Sequence, residues 1–174
     1  MVALTAPAGI DKTLHATAIA AAMAIVVGIA LGFQYIGGYI PCALCIEQRT
    51  PYYIGVPVML AAAASSALKA PVLMTRALFL AGGVLMIYGA GLAAYHAGVE
   101  WGWWEGPADC GAASSITTDA STLLADINAT RPPACNEAAL RVLGLSFAGW
   151  NVLASAALAA LCLRGAFSRS VSTT

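Results

Sequence analysis

Apolar residues gather into four long runs along the chain, at about 14–36, 52–68, 72–95 and 142–163, and the polar residues collect between them. Each run approaches the roughly 20 residues that a helix needs to cross the hydrocarbon of a bilayer. The pattern predicts an all-α membrane protein: one four-helix transmembrane domain over residues 1–174, with a short loop at about 37–51 and a long one at about 97–141. Lys69-Ala70-Pro71 leaves so short a connection that the second and third helices must be antiparallel neighbours.

Inside the long loop, Ile116, Leu123, Leu124 and Ile127 fall on one helical face, with Asp119, Asp126 and Asn128 elsewhere. A short amphipathic helix lying in the membrane surface accounts for that spacing. Within the runs, Gly28 and Gly32 form a small-xxx-small pair expected to let a neighbouring backbone approach. Met74, Met86, Gly82 and Gly83 read as packing, Asn151 as a helix-to-helix hydrogen bond and Cys162 as a buried free thiol. Trp101, Trp103 and Trp104 read as an interfacial belt.

Composition sharpens this picture. The chain is 60% hydrophobic and 9% charged, against about 25% charged in soluble domains. A net charge of zero removes the basic footprint of a nucleic-acid binder. The first run is too long for a signal-peptide core of about 7–15 residues and is read as a retained helix. Lys12, Lys69, Arg76, Arg164 and Arg169 flank one side of the runs, and Arg49, Arg131 and Arg141 the other. The positive-inside rule then makes both termini cytoplasmic and turns both loops outward. Four of the five cysteines, Cys42, Cys45, Cys110 and Cys135, fall on that side, where disulfides persist.

The candidate chemistry centres on Pro41-Cys42-Ala43-Leu44-Cys45-Ile46-Glu47-Gln48-Arg49. Pro41 suits the first position of a helix, which would put both cysteines in the first turn of the second membrane helix, beside amides that stabilise a thiolate. If that helix is continuous, Arg49 shares a face with Cys45 and adds a permanent charge to the site; the competing reading of Arg49 is a snorkelling anchor at the membrane interface. Pro51 would bend or restart the helix, and Glu47 and Gln48 read as a solvated face. His96, at the same membrane end, suits either a hydrogen bond to a bound carbonyl group or a structural role.

A lone Cys-x-x-Cys fits a redox pair or half a zinc site. Cys110 and Cys135 stand far apart, unlike the second half of such a site, and no metal is expected. A purely structural bond closing the loop of about 25 residues between them would contribute about 3 kcal/mol.

Three segments resemble the DsbB family of bacterial inner-membrane proteins: Pro41 to Arg49, Tyr95-His-Ala-Gly-Val-Glu100 leading to Gly106-Pro-Ala-Asp-Cys110, and Cys135-Asn-Glu137 leading to Gly144-Leu-Ser-Phe-Ala-Gly-Trp-Asn151. The resemblance implies a quinone-dependent oxidoreductase that re-oxidises a periplasmic thioredoxin-like protein of the DsbA type. It implies that Cys110 forms the mixed disulfide with that partner, that Cys135 is its loop mate and exchanges with Cys42, and that Cys45 donates to the quinone. Arg49 would stabilise charge at a bound ubiquinone or menaquinone, with His96 near a quinone oxygen. Such a partner, at about −120 mV, needs a more positive electron sink.

Two rivals stand beside this. The vitamin K epoxide reductase group shares a four-helix bundle, Cys-x-x-Cys and loop cysteines, but there the loop cysteines precede the Cys-x-x-Cys, and here Cys42 and Cys45 come first. A disulfide-stapled membrane scaffold or small transporter would carry the same cysteines with no quinone.

Overall fold

A computed structural model describes residues 11–107, 135–136 and 138–168. Its elements are α1 (Lys12–Tyr35), α2 (Ala43–Glu47), α3 (Thr50–Ala67), α4 (Val72–Glu100), a two-stranded hairpin of β1 (Arg141–Val142) and β2 (Leu145–Ser146), and α5 (Phe147–Phe167). The surface helix expected over 116–128 lies outside the described residues, as does Cys110.

Helix α1 begins where Asp11 accepts from the backbone N–H groups of Thr13 and Leu14, which satisfies two of the first-turn donors. It buries Ala16, Ile19, Ala20, Met23 and Val27, one helical stripe, against α3. The four long helices close a ring in which α1 packs on α3, α3 on α4, α4 on α5 and α5 on α1. Met23, Tyr52, Met59, Phe79, Met86 and Cys162 fill its centre. Outside the ring, Ile25, Ile29, Leu60, Val84, Ile87 and Leu153 are all exposed. That much outward apolar surface belongs in hydrocarbon, and α1, α4 and α5 are each long and apolar enough to cross a membrane.

Helix α3 is less apolar, with Pro51, Tyr52, Tyr53 and Pro57 in its first half. Its 18 residues still reach about 27 Å. Several of its polar groups turn inward: Ser65 bonds Thr75 at 2.9 Å and the Tyr52 hydroxyl bonds Ser155 at 2.7 Å. The turn to α4 passes through Lys69 in the left-handed region, and α3 and α4 are antiparallel neighbours as its length requires.

Two boundaries differ from the hydrophobic pattern. Helix α4 runs to Glu100 rather than stopping near 95, so His96 and Glu100 are helical and one turn apart. Gly102, at φ +70°, ends it, and Gly98 lets the Trp104 ring lie flat on the helix, where a Cβ would meet that ring at 2.1 Å. Helix α5 starts at Phe147 rather than near 142, because Leu143 and Gly144 both adopt positive φ and turn the preceding apolar residues into a hairpin. Ser146 then caps α5 by accepting from the Gly149 N–H at 3.2 Å.

One packing expectation fails. A Cβ on Gly28 or Gly32 would meet nothing within 4 Å, so neither mediates a close helix approach. Gly82 does, with the Met59 sulfur 2.7 Å from where its Cβ would stand. Met86, Gly82 and Gly83 are buried as expected, whereas Met74 is exposed.

Candidate functional site

The cysteine motif is not the first turn of a membrane helix. Cys42 is the N-cap of the separate five-residue helix α2, its sulfur accepting from the Cys45 N–H at 3.2 Å. The chain breaks at Gln48 and Arg49 because a proline at 51 has no N–H to give and its ring would clash with the Glu47 carbonyl. Tyr52 and Tyr53 donate instead to the Arg49 carbonyl, and α3 restarts there. Arg49 therefore does not share a continuous helical face with Cys45. It reaches the site by folding across to α1, where its guanidinium donates to the Gln34 side-chain oxygen.

Cys42 is 6% exposed and Cys45 half-buried, and their sulfurs lie 2.7 Å apart, unlinked. The hydrogen bond between the two sulfurs, with help from His96, pulls Cys42 down to about 5 despite its burial. The same bond, together with burial and the negative charge on Cys42, pushes Cys45 well above the ordinary thiol range. The contact thus favours the thiolate at Cys42 and disfavours it at Cys45.

His96 is 3% exposed and stands with Nε2 3.7 Å from the Cys42 sulfur and Nδ1 2.6 Å from Gln48 Nε2. Its Nε2 also lies 3.9 Å from Glu100 Oε1, and Glu100 Oε2 is buried with no hydrogen-bond partner among the described residues. Cys135, 2% exposed and disulfide-bonded, closes the cluster from the other side. The Cys42 sulfur, a His96 ring nitrogen and the Cys135 sulfur all lie within 4.8 Å of one another. A sulfur held in a disulfide has no thiolate charge to offer a cation, so in this oxidation state the trio is arranged for exchange rather than ligation.

Behind Cys45 opens a cavity of about 300 Å³. Val26 and Phe33 of α1 and Phe147 and Trp150 of α5 line it, together with Cys45, Gln48, Arg49 and His96. Cys42 does not line it. A second cleft, of about 590 Å³, lies beside Cys135 between Val99, Trp103, Trp104 and Asn136. Of the motif's two sulfurs, therefore, only Cys45 borders the cavity, whereas Cys42 is packed in with Cys135 and Val99.

The chain matches the family model described as disulfide bond formation protein DsbB over residues 12–164. It belongs to the DsbB family. No curated protein and no solved structure matches it. The match runs from the first residue of α1 into the last turn of α5. As a DsbB-family chain it is a membrane oxidoreductase of disulfide-bond formation, which decides against the stapled scaffold and the vitamin K epoxide reductase group.

Of the predicted site residues, Cys42, Cys45, Arg49, His96 and Cys135 meet at one end of this DsbB-family bundle, and Cys162 sits apart as a buried free thiol beside Met59. Gln48, read as solvated, is instead 5% exposed and bonded to both His96 and Asn151. Asn151 makes the expected interhelical bond, to Tyr52 at 2.6 Å. Gln34, Tyr52 and Glu100 were not singled out by sequence. The available signal for Gln34 and Gln48 was an amide in or beside an apolar run, a costly placement without a partner.

Proposed function

We propose that the protein re-oxidises a periplasmic thioredoxin-like protein of the DsbA type and passes two electrons to a membrane quinone, ubiquinone or menaquinone. The observation that carries this reading is the division of the motif, with Cys42 against Cys135 and Cys45 on the apolar cavity headed by Arg49. In this reading α3 crosses the bilayer with the other three helices, both termini are cytoplasmic, and the cysteine loops face the periplasm of a bacterial inner membrane.

The residues present fit a quinone. Apolar and aromatic walls suit its ring and chain, Phe33 and Phe147 packing with centroids 4.8 Å apart. Arg49 forms no ion pair among the described residues and keeps a cation available for a carbonyl oxygen. When bound, a quinone supplies an acceptor of two electrons and two protons.

The chain's own steps follow from thiol exchange. The partner's dithiol reduces the Cys110–Cys135 disulfide and leaves oxidised. The Cys135 thiolate then attacks Cys42, breaking a Cys42–Cys45 disulfide and releasing Cys45 as a thiolate on the cavity wall. Cys110 next attacks Cys135, which restores the loop disulfide and releases Cys42 as the second reduced sulfur of the inner pair. When Cys42 and Cys45 close again they surrender the two electrons, and the two protons from the partner's thiols leave with them. Cys42 and Cys45 unlinked beside a disulfide-bonded Cys135 correspond to the stage at which electrons have reached the inner pair.

The test is turnover of the purified full chain with a reduced DsbA-type protein and a short-chain quinone. One quinone is expected to be reduced per partner disulfide formed. Unchanged turnover in Cys45→Ser would overturn the proposal.

A further inference from the structure

The imidazole of His96 can carry its proton on either nitrogen, and its surroundings decide which. Two groups face Nε2: the Cys42 sulfur at 3.7 Å and Glu100 Oε1 at 3.9 Å. Both are acceptors when ionised, so a bare lone pair at Nε2 would meet only negative charge. Nδ1 then needs a donor, and Gln48 Nε2 stands 2.6 Å away. Gln48 presents its N–H to the ring because its oxygen is already engaged, accepting from Asn151 Nδ2 at 2.7 Å. Asn151 is oriented in turn by its own oxygen, which accepts from the Tyr52 hydroxyl at 2.6 Å and from Ser155 at 3.3 Å. The chain draws on the Gln48–Arg49 link, α3, α4 and α5, and its hydrogen bonds all run in one direction.

We infer that Gln48 and Asn151 are positioning residues that hold His96 as the Nε2–H tautomer, aimed at the Cys42 sulfur. The ring then donates to Cys42 and helps keep negative charge on the sulfur that faces Cys135, away from the one that faces the cavity. Because the Cys135 sulfur lies within 4.8 Å of the same ring, the N–H can follow the charge from one sulfur to the other as they exchange. This consequence rests on the proposed redox cycle, but the tautomer itself does not.

The chain contains two histidines, so nitrogen NMR of the full chain in lipid nanodiscs, labelled with ¹⁵N-histidine and assigned with His15→Gln, reads His96 directly. The expected result is a pyridine-like Nδ1 and a pyrrole-like Nε2. A pyrrole-like Nδ1 would overturn the inference, whatever the variants do. Gln48→Glu offers only an acceptor and is expected to move a proton onto Nδ1. Gln48→Leu is expected to raise the pH midpoint for alkylation of Cys42 by about one unit. An unchanged tautomer and midpoint in both variants would reduce Gln48 to packing. No quinone or partner enters these measurements, so a failed turnover assay would sink the proposed function while leaving them intact.

Discussion

Cys42 Sγ and His96 Nε2 lie 3.7 Å apart inside the protein, with the Cys45 sulfur 2.7 Å from Cys42 on its other side. The Cys42 sulfur thus has two side-chain hydrogen-bond partners as well as the Cys45 N–H, and the thiolate is stabilised in place. That contact joins the loop motif to α4, and so joins the thiol chemistry to the bundle.

The first prediction concerns pH. The native value of Cys42, about 5, lies below its ordinary value of 9.0, so the stabilisation of the thiolate is present in full above the ordinary range and is lost as pH falls through about 5. Alkylation of Cys42 in the reduced protein should therefore stay nearly level from about pH 8 to about pH 6 and drop near 5. An ordinary thiol would already slow about tenfold per unit over that range. Cys45, pushed upward, should label far more slowly than Cys42 at every one of these values. Rates read by peptide mass spectrometry decide it, and a tenfold fall for Cys42 between pH 7 and pH 6 would contradict the arrangement.

Much of the fold was legible in the apolar runs, because a lipid-facing helix must be apolar over its whole length. Its ends were harder to read. The residues Val142 to Leu145 are nearly as apolar as α5 itself, and only the turn at Leu143 and Gly144 separates hairpin from helix. The cysteine order and Arg49 were legible as chemistry, since few residue types can carry it. Gln48 was not, because a buried amide takes its meaning from Asn151, 103 positions away, and from His96 on a third element. No local spacing records such a convergence.

A second prediction follows from Arg49. A charge-assisted hydrogen bond is worth about 1.5–3 kcal/mol, so Arg49→Ala should raise the quinone KM by roughly tenfold or more while the helical circular dichroism stays unchanged. Arg49→Lys should recover part of the loss, since a point charge remains but the planar fork does not. A wild-type KM in Arg49→Ala would leave the residue as a bracket to Gln34 on α1 and nothing more.

A third concerns the end of α4. The Trp104 ring lies on Gly98, stacks on Tyr95 with centroids 6.0 Å apart, and donates its N–H to the Tyr95 carbonyl at 2.8 Å. Gly98→Ala would place a methyl carbon 2.1 Å from the ring. Displacing it should destabilise the protein by about 1–3 kcal/mol, seen as a lower melting temperature and a shifted tryptophan emission. Because Val99 packs against Cys42 and Cys135, disorder at this turn should also slow exchange between them. A wild-type melting temperature in Gly98→Ala would show that the turn bears no load.

The last prediction tests the proximity of Cys42 to Cys135. In the present arrangement Cys42 is held by a thiol 2.7 Å away, and the disulfide-bonded Cys135 sulfur is within 4.8 Å. Cys45→Ser removes the inner partner but leaves a nucleophilic Cys42 with His96 still beside it. Its thiolate should attack Cys135, forming a Cys42–Cys135 disulfide and releasing the sulfur to which Cys135 was bound. Without Cys45 nothing on the cavity side can resolve the new bond, so the species should accumulate as the protein is isolated. Non-reducing peptide mapping would detect it as a linked pair, with one free thiol appearing elsewhere in the long loop. A Cys42 that remained free in Cys45→Ser would mean that the two sulfurs, though adjacent, do not exchange, and the relay would have to enter the bundle by another route.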